Sequence, residues 1–270
     1  MNYSLCQTFR RIAFRTFDHL GTARVVNHQP LEETFTDLNI LDLKFRHGSE
    51  IFSKTFSKNV EGRNGADWEW WLTNGTLDNW LGLRVQAKVL NLASDCFEHL
   101  HYQSGDPKEY QRVKLKRASK NDGLIPLYCY YLHSLDLKKS VSATCSSFPY
   151  DMEAYGCSLS SLEHVENLFK AGHKKDLASV LKRSYPWHCL VCCSGYGGKD
   201  LPTQAWEFLK RAFDVQESNN KKDDPIDAGK PIGPRHEPPS YVREAMEGTE
   251  SDNAPADIGG VLIIKSSVSG

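Results

Sequence analysis

Two short apolar runs joined by a polar turn constrain the fold of this chain more than any other feature. Residues 61–90 read EGRNGADWEWWLTNGTLDNWLGLRVQAKVL, with the runs at about 66–73 and 82–90. An Asn- and Gly-rich turn between such runs is typical of a β-hairpin. Because successive side chains of a strand point to opposite faces, Asp67 and Glu69 share one face of the first arm. The hairpin therefore predicts a sheet that carries acidic side chains among its tryptophans.

The second arm of the hairpin brings an amide and an ammonium to the same face. Gln86 and Lys88 are two residues apart, so both point the same way from the strand. A register centred in the turn TNGTLDN sets Asp67 opposite Lys88 and Glu69 opposite Gln86. Two interpretations are open: a solvated cross-strand ion pair, which is common on sheet faces, or a functional site. The tryptophans and valines of the other face favour a site, because they make the charged face the sole polar side of these strands.

The segments around the hairpin extend it to an α/β layout. Leu31, Phe35 and Leu38 recur on one helical face, and a second helix begins near Asp106 and ends at Gly123. Strands are predicted at about 50–58 and 124–133. The order is a helix, three strands, a helix and a strand, which predicts an α/β fold with a mixed sheet.

The rest of the chain is predicted to elaborate this core. Helices are expected within 158–172, 176–184 and 203–215, and strands at about 187–193 and 260–267, the last returning to an edge of the sheet. Residues 216–258 have the composition of a loop or linker. The predicted organisation is an N-terminal helical segment (1–30), a core (31–133), a helical and strand elaboration (134–215) and a loop-rich tail with a terminal strand (216–270).

Composition excludes several classes of protein. The chain has 270 residues, 40% of them hydrophobic, which suffices for a core without disulfides. Its net charge of −1 gives no overall basic field, so a polyanionic partner would have to meet a local patch. No run approaches the roughly 18 apolar residues of a membrane span. The sequence leaves the oligomeric state open.

The cysteines and the N-terminal segment bear on the compartment. Eight scattered cysteines without a secretory signal predict reduced thiols in the cytoplasm or nucleus. The first 17 residues contain three arginines and no acid, a composition that resembles a mitochondrial presequence. The competing interpretation is an amphipathic first helix that docks on the domain. An intracellular location is expected, with mitochondrial import as the alternative.

The two arms of the hairpin carry a recognisable motif. Gly65-Ala66-Asp67, followed after the turn by Val85-Gln86-Ala87-Lys88, resembles the active-site signature of the PD-(D/E)XK nuclease superfamily. The likeness is to the QxK branch, which includes Mrr-like restriction endonucleases, and it covers about residues 31–133. It implies a restriction endonuclease-like αβββαβ core with a mixed sheet, plus a C-terminal helical and loop-rich elaboration. The whole chain is also similar to uncharacterised proteins that share the pair GADWEWW and VQAK.

The resemblance implies a role for each motif residue. Asp67 would be a metal-binding acid, Gln86 stands where Asp or Glu is commoner, and Lys88 is the motif lysine. Mg²⁺ (or Mn²⁺) prefers oxygen ligands, which the Asp67 carboxylate and the Gln86 carbonyl supply. Lys88 would orient or deprotonate the attacking water, or stabilise developing charge; these roles stay open.

Further acids are candidates for the same site. The superfamily often draws one from the first helix, here Glu32 or Glu33. Helical geometry favours Glu32, which lies about 100° from Leu31 and so flanks the predicted apolar face. Glu61, just before the Asp67 strand, is another candidate. Glu69 could restore the negative charge that Gln86 lacks, as a further metal ligand.

A basic segment follows the hairpin and suits contacts with a phosphate backbone. Its predicted nucleic-acid-binding residues are Lys108, Arg112, Lys116, Arg117 and Lys120, and Gln111 resembles a polar position near the QxK site. A solvated helix face is the competing interpretation. The expected function is metal-dependent cleavage of nucleic acid, with DNA as the expected partner, and a role in defence against foreign DNA by analogy. The alternatives are a catalytically inactive nucleic-acid-binding or regulatory protein and a protein-interaction module.

Overall fold

The fold is α/β with a mixed sheet, as predicted. It is described from a computed structural model. The structure describes residues 3–56, 68–135, 148, 150–192, 197–216, 229–249 and 258–266. Two predicted site residues, Glu61 and Asp67, lie outside these described residues.

The described residues form helices and strands in alternation. The helices are α1 (Leu5–Val25), α2 (Glu32–Arg46), α3 (Gln111–Asp122), α4 (Leu162–Lys170), α5 (Leu177–Leu181), α6 (Cys189–Cys192), α7 (Leu201–Phe213) and α8 (Ser240–Glu247), with a 3₁₀ turn at Met152–Gly156. The strands are β1 (Ile51–Thr55), β2 (Trp68–Thr73), β3 (Trp80–Val89), β4 (Gln103–Ser104), β5 (Glu109–Tyr110), β6 (Ile125–Tyr131), β7 (Cys157–Ser161), β8 (Tyr185–Pro186) and β9 (Gly260–Lys265). None of the helices in the described ranges is both long and apolar enough to cross a bilayer.

Seven strands form one mixed sheet in the order β1-β9-β2-β3-β6-β7-β8, and β4 pairs with β5 in a separate ribbon. β2 and β3 are antiparallel, as the hairpin predicts, whereas β9 is parallel to β2. The prediction that the terminal strand returns to an edge is wrong, because β9 lies between β1 and β2. Its sequence GVLIIK is apolar on both faces and almost entirely buried, which suits an interior strand.

The chain divides into two compact units, each assembled from three segments. The first comprises Met1–Arg46, Ala87–Tyr102 and Leu127–Gly195, and the second comprises His47–Gln86, Gln103–Pro126 and Tyr196–Gly270. In the first unit α1 buries one face, which includes Phe9, and the Trp187 indole N–H donates to the Phe9 carbonyl at 2.7 Å. α1 also approaches the 3₁₀ turn closely at Gly156, where a Cβ would lie 2.1 Å from the Ala13 carbonyl oxygen.

The second unit has its core between α8 and one face of strands β2, β3 and β9. That core contains Trp71, Trp80, Leu124, Tyr241, Val242, Ala245, Ile258, Val261 and Ile263. A Cβ at Gly82 would lie 2.4 Å from a Leu124 methyl carbon and 2.8 Å from the Trp71 ring. The core therefore packs directly on the strand backbone at this position.

Helix α2 buries a different face from the one predicted. Its buried residues are Phe35, Thr36, Asn39 and Leu43. Leu31, Leu38 and Leu41 are exposed. The prediction from apolar spacing is wrong here because polar Thr36 and Asn39 are satisfied inside: Thr36 bonds Tyr131, and Asn39 bonds Thr16 on α1.

Two other boundaries differ from the predictions. α3 begins at Gln111 and not near Asp106, because the β4–β5 ribbon occupies the preceding residues; Gly123 ends the helix as predicted, with a φ of 63°. Where a strand was expected at 187–193, the structure has a turn of two residues after the short strand β8 and then helix α6, which begins at Cys189.

Two cysteines form a disulfide, so the prediction of reduced thiols throughout is wrong. Cys6 in the first turn of α1 is bonded to Cys192 at the end of α6. The two residues are 186 positions apart, and only the fold brings them together.

Candidate active site

A buried lysine on β3 is paired with a glutamate at the start of α2. Lys88 is 2% exposed, and its Nζ lies 3.3 Å from Glu32 Oε1. Glu32 keeps about a quarter of its side chain exposed to solvent. An ammonium in such surroundings needs a counter-charge, because burying an unpaired charge is costly. The structure thus joins two of the predicted site residues.

The Gln29 side chain joins the segment just before α2 to the end of β3 through hydrogen bonds to the backbone. The Gln29 amide nitrogen donates to the Leu90 carbonyl at 3.2 Å, and its amide oxygen accepts from the Leu92 N–H at 2.9 Å. One turn into the helix, the Thr36 hydroxyl bonds the Tyr131 hydroxyl at 3.0 Å. These contacts hold Glu32 within reach of Lys88 independently of the ion pair itself.

Gln86 lies two residues before Lys88 and projects from the same face of β3. It is 1% exposed, and the strand is buried along nearly its whole length. Glu33, the other first-helix candidate, is exposed on α2 and points away from the buried side of the helix. Of the two candidate glutamates, the structure therefore places Glu32 beside the motif lysine.

The predicted register of the hairpin is wrong by two residues. Glu69 pairs with Arg84, and the register continues to Thr73 opposite Trp80. The reason lies in the turn: the Asn74 side-chain oxygen accepts from the backbone N–H groups of Asp78 and Asn79, so β3 starts directly after a six-residue loop. A shift of two preserves which face each side chain occupies, so Glu69 still shares its face with Gln86 and Lys88.

Glu69 belongs to a separate, fully buried network. One carboxylate oxygen accepts from Arg84, and the other accepts from the Trp71 indole N–H at 3.1 Å and from the Tyr241 hydroxyl at 2.5 Å. Arg84 also lies 3.1 Å from Asp122. Burial, followed by the charge of Glu69, raises the pKa of Tyr241 far above its ordinary value, so its hydroxyl stays protonated and donates. Both carboxylate oxygens of Glu69 are therefore engaged by hydrogen-bond donors within this network.

The basic residues predicted to bind nucleic acid differ in their exposure and in the contacts that they make. Lys108, Lys116 and Lys120 are exposed. Arg117 forms two hydrogen bonds to Glu109, at 2.8 and 2.9 Å, which raise the pKa of Arg117 and lower that of Glu109. The Arg112 guanidinium stacks 4.2 Å above the Tyr110 ring. Gln111 is the first residue of α3, and Lys114, in the same helix, is buried with its ammonium 3.1 Å from the Ser104 hydroxyl.

Several residues around these positions were not identified from the sequence. Arg84 could have been found, because its even position puts it on the same strand face as Gln86 and Lys88. Gln29 and Tyr241 had no such signal, since their contacts depend on the tertiary fold. Among the described residues no group of three His, Cys, Asp or Glu side chains is arranged as a metal site. The Glu32 carboxylate and the Gln86 carbonyl are nevertheless oxygen donors of the kind that Mg²⁺ prefers.

Comparisons with known proteins identify a family and no activity. A family model described as a family of unknown function, DUF6615, matches residues 5–270. No curated protein and no solved structure matches the chain. The predicted similarity of the whole chain to a family of uncharacterised proteins is therefore confirmed, and the chemistry has to be argued from the residues of this chain.

Proposed function

Because the chain belongs to DUF6615, a family whose function is unknown, we propose from its own residues that it is a metal-dependent nuclease that hydrolyses DNA. The proposal retains the likeness of the motif at Asp67, Gln86 and Lys88 to the QxK branch of the PD-(D/E)XK superfamily. A restriction endonuclease-like core is part of the same proposal. Apart from the separate β4–β5 ribbon before α3, the order α2, β1, β2, β3, α3, β6 supports it, since it repeats the helix, three strands, helix and strand of that core.

The observation that carries the proposal is the contact between Glu32 and Lys88. The resemblance to the superfamily implied that an acid of the first helix, Glu32 or Glu33, belongs to the site. The contact at 3.3 Å joins residues 56 positions apart, on a helix and a strand. Exposed ion pairs are common on protein surfaces. A lysine that is only 2% exposed, in contrast, carries the cost of burying its charge, so the pair serves folding or function. The same strand face carries Gln86.

The chain's own groups suit phosphodiester hydrolysis. Asp67 and Gln86, the two oxygen donors of the sequence motif, would hold a Mg²⁺ or Mn²⁺ ion, whose chemistry is to polarise the phosphate and activate a water. Lys88 donates three N–H groups and accepts none, so its ammonium can orient the attacking water or stabilise the negative charge that develops on the phosphate. Its contact with Glu32 fixes where that positive charge lies.

The substrate backbone requires positive charge outside the site. Lys108, Lys116 and Lys120 are exposed and suited to non-specific phosphate contacts. Arg117 is already paired with Glu109, so binding through it would have to break that pair. The assignment of backbone binding to the three lysines rests on their exposure. A role in defence against foreign DNA rests on analogy with the resembled nucleases.

Cleavage assays on matched variants test the proposal. Purified protein is incubated with plasmid, single-stranded DNA and RNA in Mg²⁺, Mn²⁺ or EDTA. Glu32→Gln and Lys88→Met are each expected to lower the Mg²⁺-dependent rate on DNA by about 100-fold or more, the usual scale for losing a catalytic group. The control is Glu33→Gln, an exposed glutamate on the same helix turn, which is expected to retain the wild-type rate. Equal rates for Glu32→Gln and Glu33→Gln would remove Glu32 from the site.

A second function has an observation in its favour. Gln86 and Lys88 are both almost fully buried, which suits a structural role as well as a catalytic one. A nuclease scaffold that has lost its chemistry would bind nucleic acid through the exposed lysines and cleave none. Binding that persists in EDTA, with no cleavage by the wild type in either metal, would establish this regulatory or binding function in place of the enzyme.

A further inference from the structure

The disulfide between Cys6 and Cys192 is accessible to small molecules. Cys6 lies in the first turn of α1, Cys192 is the last residue of α6, and both residues are only partly buried. Cys189, one turn before Cys192 in the same helix, is 1% exposed and is not part of a disulfide. A small thiol can therefore reach the bonded pair, whereas the thiol of Cys189 is enclosed by the protein.

The segment that carries Cys192 is held on α1 by contacts that do not need the disulfide. The Trp187 indole N–H donates to the Phe9 carbonyl at 2.7 Å, and the centroids of the two rings lie 4.7 Å apart. Both side chains are buried. The start of α1 has its own support, a capping box in which the Ser4 hydroxyl accepts from the Gln7 N–H at 3.2 Å. Breaking the disulfide should therefore leave both helices in place.

The position of Cys6 favours its thiolate over that of Cys192. Cys6 is the second residue of a 21-residue helix, where the helix dipole and the N–H groups without intrahelical partners stabilise negative charge. The first turn contains no acidic residue. Arg10, one turn further along α1, is already paired with Asp151, so the helix end itself supplies the stabilisation. Cys192 lies at the opposite, C-terminal end of its helix, which gives a thiolate no such support.

The other cysteines argue against a purely structural role for this bond. Among the cysteines that the structure describes, those outside the pair are thiols: Cys96, Cys129, Cys157 and Cys189. Small proteins that depend on disulfides for their stability carry several of them. Where thiols are otherwise kept reduced, the disulfides that do form are usually catalytic or redox-sensing.

We propose that Cys6–Cys192 is a redox-active disulfide that exchanges reversibly with low-molecular-weight thiols. The thiolate of one small thiol attacks Cys192 Sγ, the bond between the two protein sulfurs breaks, and Cys6 leaves as a thiolate. A second small thiolate attacks the small-molecule sulfur of the mixed disulfide and releases the Cys192 thiolate with the oxidised small molecule. The two protein thiolates take up the two protons that the small thiols gave up.

Reduction releases the first turn of α1 from α6 and exposes a reactive thiolate at Cys6. The ratio of thiol to disulfide in the surroundings therefore sets whether this end of α1 is tethered. Neither cysteine is a predicted site residue, so the proposal does not depend on the nuclease function.

Exchange under native conditions tests the reversibility. The oxidised wild type is incubated with reduced and then with oxidised glutathione at millimolar concentration, and its thiols are alkylated and mapped by peptide mass spectrometry. Cys6 and Cys192 are expected to be alkylated after reduction and protected again after oxidation. Circular dichroism and a cooperative thermal transition are expected to show a folded chain in both states. Cys189→Ser is the control and should exchange at the wild-type rate.

Three results would overturn the proposal: a disulfide that opens only in denaturant, a bond that oxidised glutathione does not form again, or a chain that unfolds on reduction. The first and the third would make the disulfide a structural one.

Alkylation of two single variants tests which sulfur leaves. Cys192→Ser keeps the Cys6 thiol without its partner, and Cys6→Ser keeps the Cys192 thiol. Near neutral pH, iodoacetamide is expected to modify Cys6 in the first variant about fivefold or more faster than Cys192 in the second, because the thiolate is the reacting form. Peptide mapping separates both from the other cysteines. Equal rates, or a faster reaction at Cys192, would contradict the assignment of Cys6 as the leaving thiolate.

Discussion

At the scale of single residues, the buried ion pair between Glu69 and Arg84 makes the fold sensitive to the loss of either partner. Both side chains are at most 1% exposed, and each is held by further partners. Removing one charge of a buried pair leaves the other without its compensation, which typically costs about 3–5 kcal/mol. Glu69→Gln is therefore expected to lower the free energy of unfolding by about 3 kcal/mol, as measured by urea denaturation.

The double variant Glu69→Leu with Arg84→Met removes both charges and keeps apolar side chains at the two positions. It therefore distinguishes the effect of an uncompensated charge on stability from the effect of packing. Replacing both members of a buried pair by apolar residues is often neutral, so the double variant is expected to be more stable than Glu69→Gln. A double variant that is less stable than the single one would show that the network contributes more than mutual charge compensation.

His164 makes stability depend on pH. Burial lowers its pKa, and its Nε2 lies 3.0 Å from the Val180 carbonyl oxygen, so the neutral ring donates there. The unfolded chain takes up the second proton more readily than the folded one, so stability is full above the unfolded pKa of about 6.5 and is lost below it. We expect the free energy of unfolding to fall as the pH drops from about 7 to 5.

His164→Gln should flatten that dependence, as followed by urea denaturation across the pH range. Part of the slope will remain, because burial and the nearby Arg24 charge also lower the pKa of His133. His28→Gln, at an exposed position after α1, serves as the control and should leave the slope unchanged. An undiminished slope in His164→Gln would show that protonation of this ring is not linked to folding.

At the scale of secondary-structure elements, the end of α3 shows why a glycine is required. Gly123 has a left-handed φ of 63°, and a Cβ there would lie 2.5 Å from the Pro231 carbonyl oxygen. Gly172, with a φ of 94°, has nothing within 4 Å of the same position. Gly172→Ala should therefore cost about 1 kcal/mol from backbone strain alone.

Gly123→Ala combines that strain with a collision against backbone, so its expected cost exceeds that of Gly172→Ala. Thermal denaturation of the two variants measures both costs under the same conditions. Equal losses of stability would mean that the Pro231 segment moves aside without cost.

The elements also show where sequence patterns succeed. The stop at Gly123 and the hairpin were predicted because each depends on short-range chemistry: a left-handed cap and a polar turn. The buried face of α2 was not predicted correctly. Thr36 and Asn39 are buried because they form hydrogen bonds to residues distant in sequence, and the spacing of apolar residues gives no sign of such bonds. Glu32 still points inward, although the predicted reason, proximity to a buried Leu31, is wrong.

At the scale of the whole molecule, long-range pairing accounts for most of what the sequence left undetermined. Strand β9 enters the middle of the sheet beside β2, about 190 positions away, and its apolar sequence alone suited an edge equally well. The Cys6–Cys192 disulfide is hidden from the sequence for the same reason. For the candidate site, the shared face of Glu69, Gln86 and Lys88 was predictable from strand alternation. Which of these side chains is engaged elsewhere depends on Arg84, Trp71 and Tyr241.

The proposed hydrolysis of DNA depends on Lys88, which is paired with Glu32 and lies on the strand that carries Gln86. The most direct test compares the wild type with Lys88→Met after the two proteins have been shown to be equally stable. The measured quantity is the initial rate of Mg²⁺-dependent nicking of a supercoiled plasmid. We expect the wild type to nick the plasmid in a reaction that EDTA abolishes, and Lys88→Met to nick it at least about 100-fold more slowly. Nicking at the same rate by both proteins, or by neither, would contradict the proposal.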